Sequence, residues 1–164
     1  MAIQYVTGDA TRPLGDGTRI IVHVCNDIGG WGKGFVVALS KRWKTPEASY
    51  RRWFESGEPE PFKLGHVQFV LVEPELWVAN VIGQHDIVGK NRPKNDVPPV
   101  RYDAIRSGLQ RVAKFAVEHG ASIHMPRIGA GFAGGDWNVI SGIISNELTE
   151  RGVAVTVYHL PSRD

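Results

Sequence analysis

The chain has 164 residues, of which 42% are hydrophobic and 22% charged, enough for one globular domain with its own core and too apolar for a disordered chain. A formal charge of +2 makes nucleic acid an unexpected partner, and Arg42, Lys44, Arg51 and Arg52 read as a solvated helix face. The single cysteine, Cys25, excludes an internal disulfide and a cysteine zinc cluster. The six histidines show no H-x-x-x-H spacing, so neither a metal nor a cofactor is expected.

The opening "MAIQYVTGD" has no basic stretch followed by an apolar core, and no apolar run approaches about 18 residues. No membrane partner is therefore expected, and the protein is expected to be cytoplasmic and monomeric. "IQYVTGD" predicts a short strand ending at a Gly-Asp turn, and "TRIIVHVCN" predicts a buried strand rich in β-branched residues. A glycine-rich loop, "DIGGWGKGF", follows, then a helix with Val36, Leu39 and Trp43 on one face. Thr45-Pro46 reads as the cap and first position of a second helix. "HVQFVLV" and "LWVANVIG" predict a hairpin, and residues 84–99 a long polar loop. Ile105, Leu109, Val112 and Ala116 recur at helical spacing, with Gly120 as the stop. "ASIHMPRI" predicts a strand, Trp137, Ile140, Ile144 and Leu148 a helical stripe, and "VAVTVYHL" a last strand. Alternating strands and helices predict a single α/β domain over residues 1–164 with a largely parallel sheet. Ligands of such sheets sit beyond the strand ends, where Asn26, Gly83 and Ile128 are expected to converge.

"MPRIGAGFAGGDW" contains a G-x-G-x-x-G at Gly129, Gly131 and Gly134, the spacing of a dinucleotide loop. That reading also needs an acid at the end of the next strand to hold ribose, and Tyr158-His159 supply none. In "DIGGWGK", Asp27 stands where a phosphate-binding G-x-x-x-x-G-K-[ST] loop needs glycine, and Gly34 stands where it needs a hydroxyl for Mg²⁺. Both motif readings fail. Two glycine-rich strand-to-helix loops at matching strand ends remain, and their backbone N–H groups suit a diphosphate.

The "GDAT" turn, "IIVHVCNDIGGWGKGF", "NVIG" and "MPRIGAGFAGGDW", in that order, resemble a macrodomain over nearly the whole chain. "HVCNDIGGWGKG" and the closing "TVYHL" are similar to the branch containing terminal ADP-ribose protein glycohydrolase and yeast ADP-ribose-1″-phosphatase. The resemblance implies a three-layer α/β/α sandwich with a mixed, largely parallel central sheet and an ADP-ribose cleft. It implies that Asp9 accepts the adenine amino group, with backbone contact from Ala10, and that Asn26 bonds the distal ribose. Gly30, Trp31, Gly32, Lys33 and Gly34, with Ile82 and Gly83, and Ile128, Gly129, Ala130, Gly131 and Phe132, would enclose the diphosphate and that ribose. From the residues alone, Asp9 equally reads as a turn former and Asn26 as a side chain closing its own loop.

The catalytic positions depart from the glycohydrolase pattern. Gln84 stands at its lysine and Ala133 at its aspartate, with Asp136 three residues on. A glutamine forms no covalent adduct, so Asp136, Gln84 and Asn26 are the catalytic candidates for releasing mono-ADP-ribose from protein carboxylates. Asp136 equally reads as a helix N-cap. The alternatives are a non-catalytic reader of ADP-ribosylated proteins and an ADP-ribose 1″-phosphate phosphatase. For the latter, His23, in an H-x-C-N pattern with Cys25 and Asn26, is the candidate, unless it is a histidine satisfied inside a strand. The expected partners are ADP-ribose and mono-ADP-ribosylated proteins.

Overall fold

A computed structural model describes residues 1–87, 97–131 and 133–161. The chain forms strands β1 (Gln4–Thr7) and β2 (Arg19–Asn26), helices α1 (Phe35–Arg42) and α2 (Thr45–Ser56), and strands β3 (Val67–Glu73) and β4 (Leu76–Gln84). Helix α3 (Tyr102–His119), β5 (Ser122–Met125), α4 (Trp137–Glu147), a 3₁₀ turn (Thr149–Arg151) and β6 (Val155–His159) complete it. The sheet order is β1-β6-β5-β2-β4-β3, parallel throughout except for the β3–β4 hairpin. This is the expected mixed, largely parallel sheet.

Alternation along the strands divides the core into two layers. On β2, Ile20 and Val22 face one way and pack with Ile105 and Leu109 of α3 and Ile140 and Ile144 of α4. Ile21 and Cys25 face the other way, toward Leu39 of α1 and Tyr50 and Trp53 of α2. A strand with both faces covered by helices must be apolar on both, which is why β2 reads as a continuous run. Helices on both faces give the three layers.

Some boundaries differ from the sequence reading. Thr45 is the first residue of α2 rather than its cap, which falls on Lys44, and Pro46 sits in the first turn, where its missing N–H costs nothing. β5 stops at Met125 because Pro126 has no N–H to continue the ladder. The last helical stripe is split: α4 ends at Glu147, and Leu148 leads into the 3₁₀ turn that Gly152 closes.

Candidate functional site

At the carboxyl end of the sheet, a cavity of about 530 Å³ opens between the exits of β2 and β4. Its walls include Asn26, Gly30, Trp31, Gly32, Lys33, Arg51 and Gln84. Among the described residues, the lining holds two cations, Lys33 and Arg51, the latter paired with Glu47 Oε2 at 3.0 Å, and no carboxylate.

The glycine loop that forms one wall is built around Asn26. Its Oδ1 accepts hydrogen bonds from the N–H of Ile28 (3.0 Å) and Gly30 (2.9 Å) and from the hydroxyl of Tyr50 (2.9 Å). Its Nδ2 donates to the Gly30 carbonyl at 2.8 Å. Asn26 therefore does close its own loop, and one amide hydrogen is left over for a ligand. Arg51 donates from its guanidinium to the Gly29 carbonyl at 3.2 Å, tying the loop to α2. Gly29 has φ +79° and a Cβ there would lie 2.5 Å from the Phe54 ring, so only glycine fits. The loop runs into α1, whose first turn carries no acidic side chain.

His23 lies beneath this wall, not on it. It is 2% exposed, its Nε2 is 2.5 Å from Asn80 Oδ1, and its ring meets Trp31 and Phe35. Burial lowers its pKa to about 4, with the Asn80 bond opposing, so it is a neutral core residue at neutral pH. The phosphatase alternative thereby loses its candidate. Burial likewise pushes the Cys25 thiol and the Tyr50 phenol up, so neither supplies an anion to the cavity.

Gln84 lines the cavity; its Nε2 donates to the Asp86 carbonyl at 2.9 Å, leaving its Oε1 as an acceptor. Ile82 and Gly83 are buried below it, and the Gly83 carbonyl already accepts from Arg101 N–H at 2.9 Å. The expected convergence of Asn26, Gly83 and Ile128 is replaced at the surface by Asn26 and Gln84. The cause is an irregularity in the β2–β4 register that sets Asn26 opposite Gln84.

The second glycine loop is held by its own backbone. Gly134 N–H bonds to Gly131 O at 3.0 Å and Gly135 N–H to Gly129 O at 2.8 Å. Ile128 and Ala133 anchor it in the core on the α3 and α4 side. Gly129 and Ala130 are half-buried and Gly131 is exposed, with open space where its Cβ would stand. None of these residues lines the 530 Å³ cavity. Phe132 lies outside the described residues.

Asp136 follows this loop as the N-cap of α4; its Oδ1 accepts from Asn138 N–H at 2.9 Å, and its own N–H donates to the Tyr102 hydroxyl at 2.9 Å. It is exposed and does not line the cavity. At the same carboxyl end but beyond the edge strand β1, Asp9 uses a single oxygen, Oδ1, to accept from the N–H (2.8 Å) and hydroxyl (2.7 Å) of Thr11. Ala10 beside it is 3% exposed. Sequence reasoning missed Arg51, whose role depends on α2 packing against the loop. It also missed the pairing of Asp27 with His85, which joins residues 58 apart.

No family model matches the chain. It is 33% identical over 164 residues to Chromodomain-helicase-DNA-binding protein 1-like of Danio rerio, covering 96% of this chain and 16% of that protein. It thus spans about one sixth of that relative's length. At 18% identity, Thermosipho africanus DarTG in complex with ADP-ribose shares the fold, with a TM-score of 0.70 over 99% of this chain and 42% of that one. A macrodomain protein from Streptomyces coelicolor is 52% identical, covers 97% of this chain and 99% of its own, and superposes with a TM-score of 0.83. At that identity over both full lengths, with the sheet order and the strand-end cavity described above, the chain belongs to the macrodomain family.

Proposed function

We propose that this macrodomain binds ADP-ribose at the carboxyl end of its sheet and hydrolyses the ester linking mono-ADP-ribose to protein carboxylates. The observation that carries the binding reading is the cavity at the exits of β2 and β4. A glycine loop leads into the N-terminus of α1 there, and among the described residues the charged side chains of the lining are Lys33 and Arg51. Helix-terminal N–H groups, the helix dipole and two cations together favour a diphosphate. Asn26, through its remaining amide hydrogen, and Gln84, through its Oε1, would hold the distal ribose in this reading. The Gly129–Gly131 segment and Asp9 would extend the site toward the second phosphate and the adenine. The fold shared with a protein solved in complex with ADP-ribose is consistent with this direction.

The ester-cleaving part of the proposal needs no lysine adduct, since Gln84 cannot form one. A ribosyl ester has a good leaving group, so holding the sugar and orienting a water beside Gln84 accounts for much of what is required. Two incubations separate the alternatives: glutamate-linked mono-ADP-ribosylated protein, and ADP-ribose 1″-phosphate. Release of ADP-ribose from the first alone supports the hydrolase. Binding of ADP-ribose with neither reaction leaves a reader, and phosphate release from the second would reverse the conclusion drawn from the burial of His23.

A further inference from the structure

We propose that a basic groove joined to the cavity docks the acidic stretch of protein chain that flanks the modified carboxylate; this deepens the function proposed above and rests on its ADP-ribose-binding half. The groove, of about 270 Å³, lies where α1 turns into α2 and is lined by Trp31, Val37, Ser40, Lys41, Lys44 and Glu47. Trp31 lines the cavity as well, and so does Arg51, whose guanidinium is held by the groove's Glu47 at 3.0 Å. One indole and one ion pair thus form a wall common to both. Val36 and Val37, consecutive on α1, line the cavity and the groove respectively.

Among the described residues, the one carboxylate of the groove is already committed. Glu47 Oε1 accepts from the Ser40 hydroxyl at 3.1 Å and Oε2 from Arg51, while the Ser40 oxygen accepts from the Trp31 indole N–H at 2.8 Å. Lys41 and Lys44 are exposed and make no ion pair or side-chain hydrogen bond with any described residue, and the same holds for Lys33 in the cavity lining. Helix stability does not account for two of these positions. Lys33 precedes the N-cap of α1 and Lys44 is the N-cap of α2, the ends at which the helix dipole disfavours a cation.

Three unpaired lysines around a shared wall favour an anionic chain leaving the cavity across that wall. The distal ribose of the proposed substrate carries the protein, so such a chain has to cross the cavity rim. Carboxylates suit this surface better than a nucleic acid does. Trp31 is the one aromatic side chain among the described lining residues of cavity and groove; it is 8% exposed and its ring meets His23 and Tyr50, so it offers no platform on which a base could stack. Glutamate or aspartate side chains beside the modified residue would meet Lys41 and Lys44 as separate point charges, the contact an ammonium group makes well.

The test uses the full chain and two mono-ADP-ribosyl peptides of equal length, joined through an amide nitrogen in place of the ester oxygen, one flanked by glutamates and the other by glutamines. Calorimetry should show the acidic peptide binding about fivefold or more tighter at low salt, with the preference shrinking at high salt. The double variant Lys41→Gln, Lys44→Gln should lose the preference while its affinity for free ADP-ribose stays within about twofold of the parent. Equal affinity of the parent for the two peptides, or a preference that survives in the double variant, overturns the docking groove while leaving ester hydrolysis standing. A single-stranded oligonucleotide that displaces the acidic ADP-ribosyl peptide more strongly than an unmodified acidic peptide of equal charge assigns the surface to nucleic acid and overturns it likewise. Cleavage is read separately on the glutamate-linked ester: a parent that shows the preference but cleaves no ester keeps the groove and removes the hydrolase reading. A parent that binds neither peptide nor ADP-ribose removes both.

Discussion

The two glycine loops are alike in composition and opposite in construction. The loop after β2 is organised by side chains: Asn26 at its centre, Tyr50 and Arg51 reaching in from α2. The loop after β5 is organised by backbone bonds within itself and by Ile128 and Ala133 sunk in the core. The first walls the cavity; the described residues of the second do not. Glycine content therefore shows where the backbone turns sharply, while the anchors decide what each loop can present. A loop held by side chains is vulnerable at one residue, and a self-held loop is vulnerable only where something must pass across it.

Removing the hub should give the largest effect. Asn26→Ala deletes four hydrogen bonds and leaves the Gly30 N–H without its partner, so stability should fall by about 3 kcal/mol and ADP-ribose affinity with it. Denaturant titration and calorimetry check both. A loss of affinity with unchanged stability would show that Asn26 acts mainly on the ligand.

The floor beneath the first loop should answer to pH. The buried His23 has its pKa lowered to about 4 from 6.5, so the unfolded chain binds the extra proton first as pH falls. Stability from this group is complete above pH 6.5 and lost as pH falls toward 4, by about 3 kcal/mol as an order of magnitude. His124, also lowered to about 4 by burial and by Arg19, adds a loss of the same sign. Melting temperatures from pH 7 to 4 should fall steeply in the parent and less steeply in His23→Gln. Parallel curves would contradict the buried neutral state.

The opposite pattern is expected of the second loop. Gly131 has open space at its Cβ position and no positive φ, so Gly131→Val should leave the melting temperature nearly unchanged. ADP-ribose affinity should fall by about tenfold or more as the branched side chain fills the phosphate path. Equal affinity would mean that this loop is only a turn. Asp136→Ala is the smallest change: loss of an N-cap should cost about 1 kcal/mol while binding and turnover persist. A hundredfold drop in turnover would restore Asp136 as a catalyst.

The fold was legible where a period repeats. The β-branched run of β2, the α3 stripe through Ile105, Leu109, Val112 and Ala116, and the Gly120 stop each carry their signal within a few residues. The site was legible in kind but not in assignment. Asn26 and Asp136 each allowed a turn or cap reading from local sequence, and the structure shows those local bonds in place. His23 looked chemical because of its neighbours in sequence, whereas strand alternation turns it into the aromatic layer beneath Trp31. Tyr50 and Arg51 reach the loop only through helix packing, and Asp27 meets His85 only because β2 lies beside β4. No periodicity in the chain encodes such meetings.

The central claim is that the strand-end cavity walled by the loop after β2, extended by the loop after β5, takes a diphosphate and a distal ribose. Calorimetric titration of the parent with ADP-ribose and, separately, AMP tests it most directly, since the two ligands share adenosine and one phosphate. Markedly tighter binding of ADP-ribose is the predicted result; equal affinity for the two would contradict the assignment of the cavity.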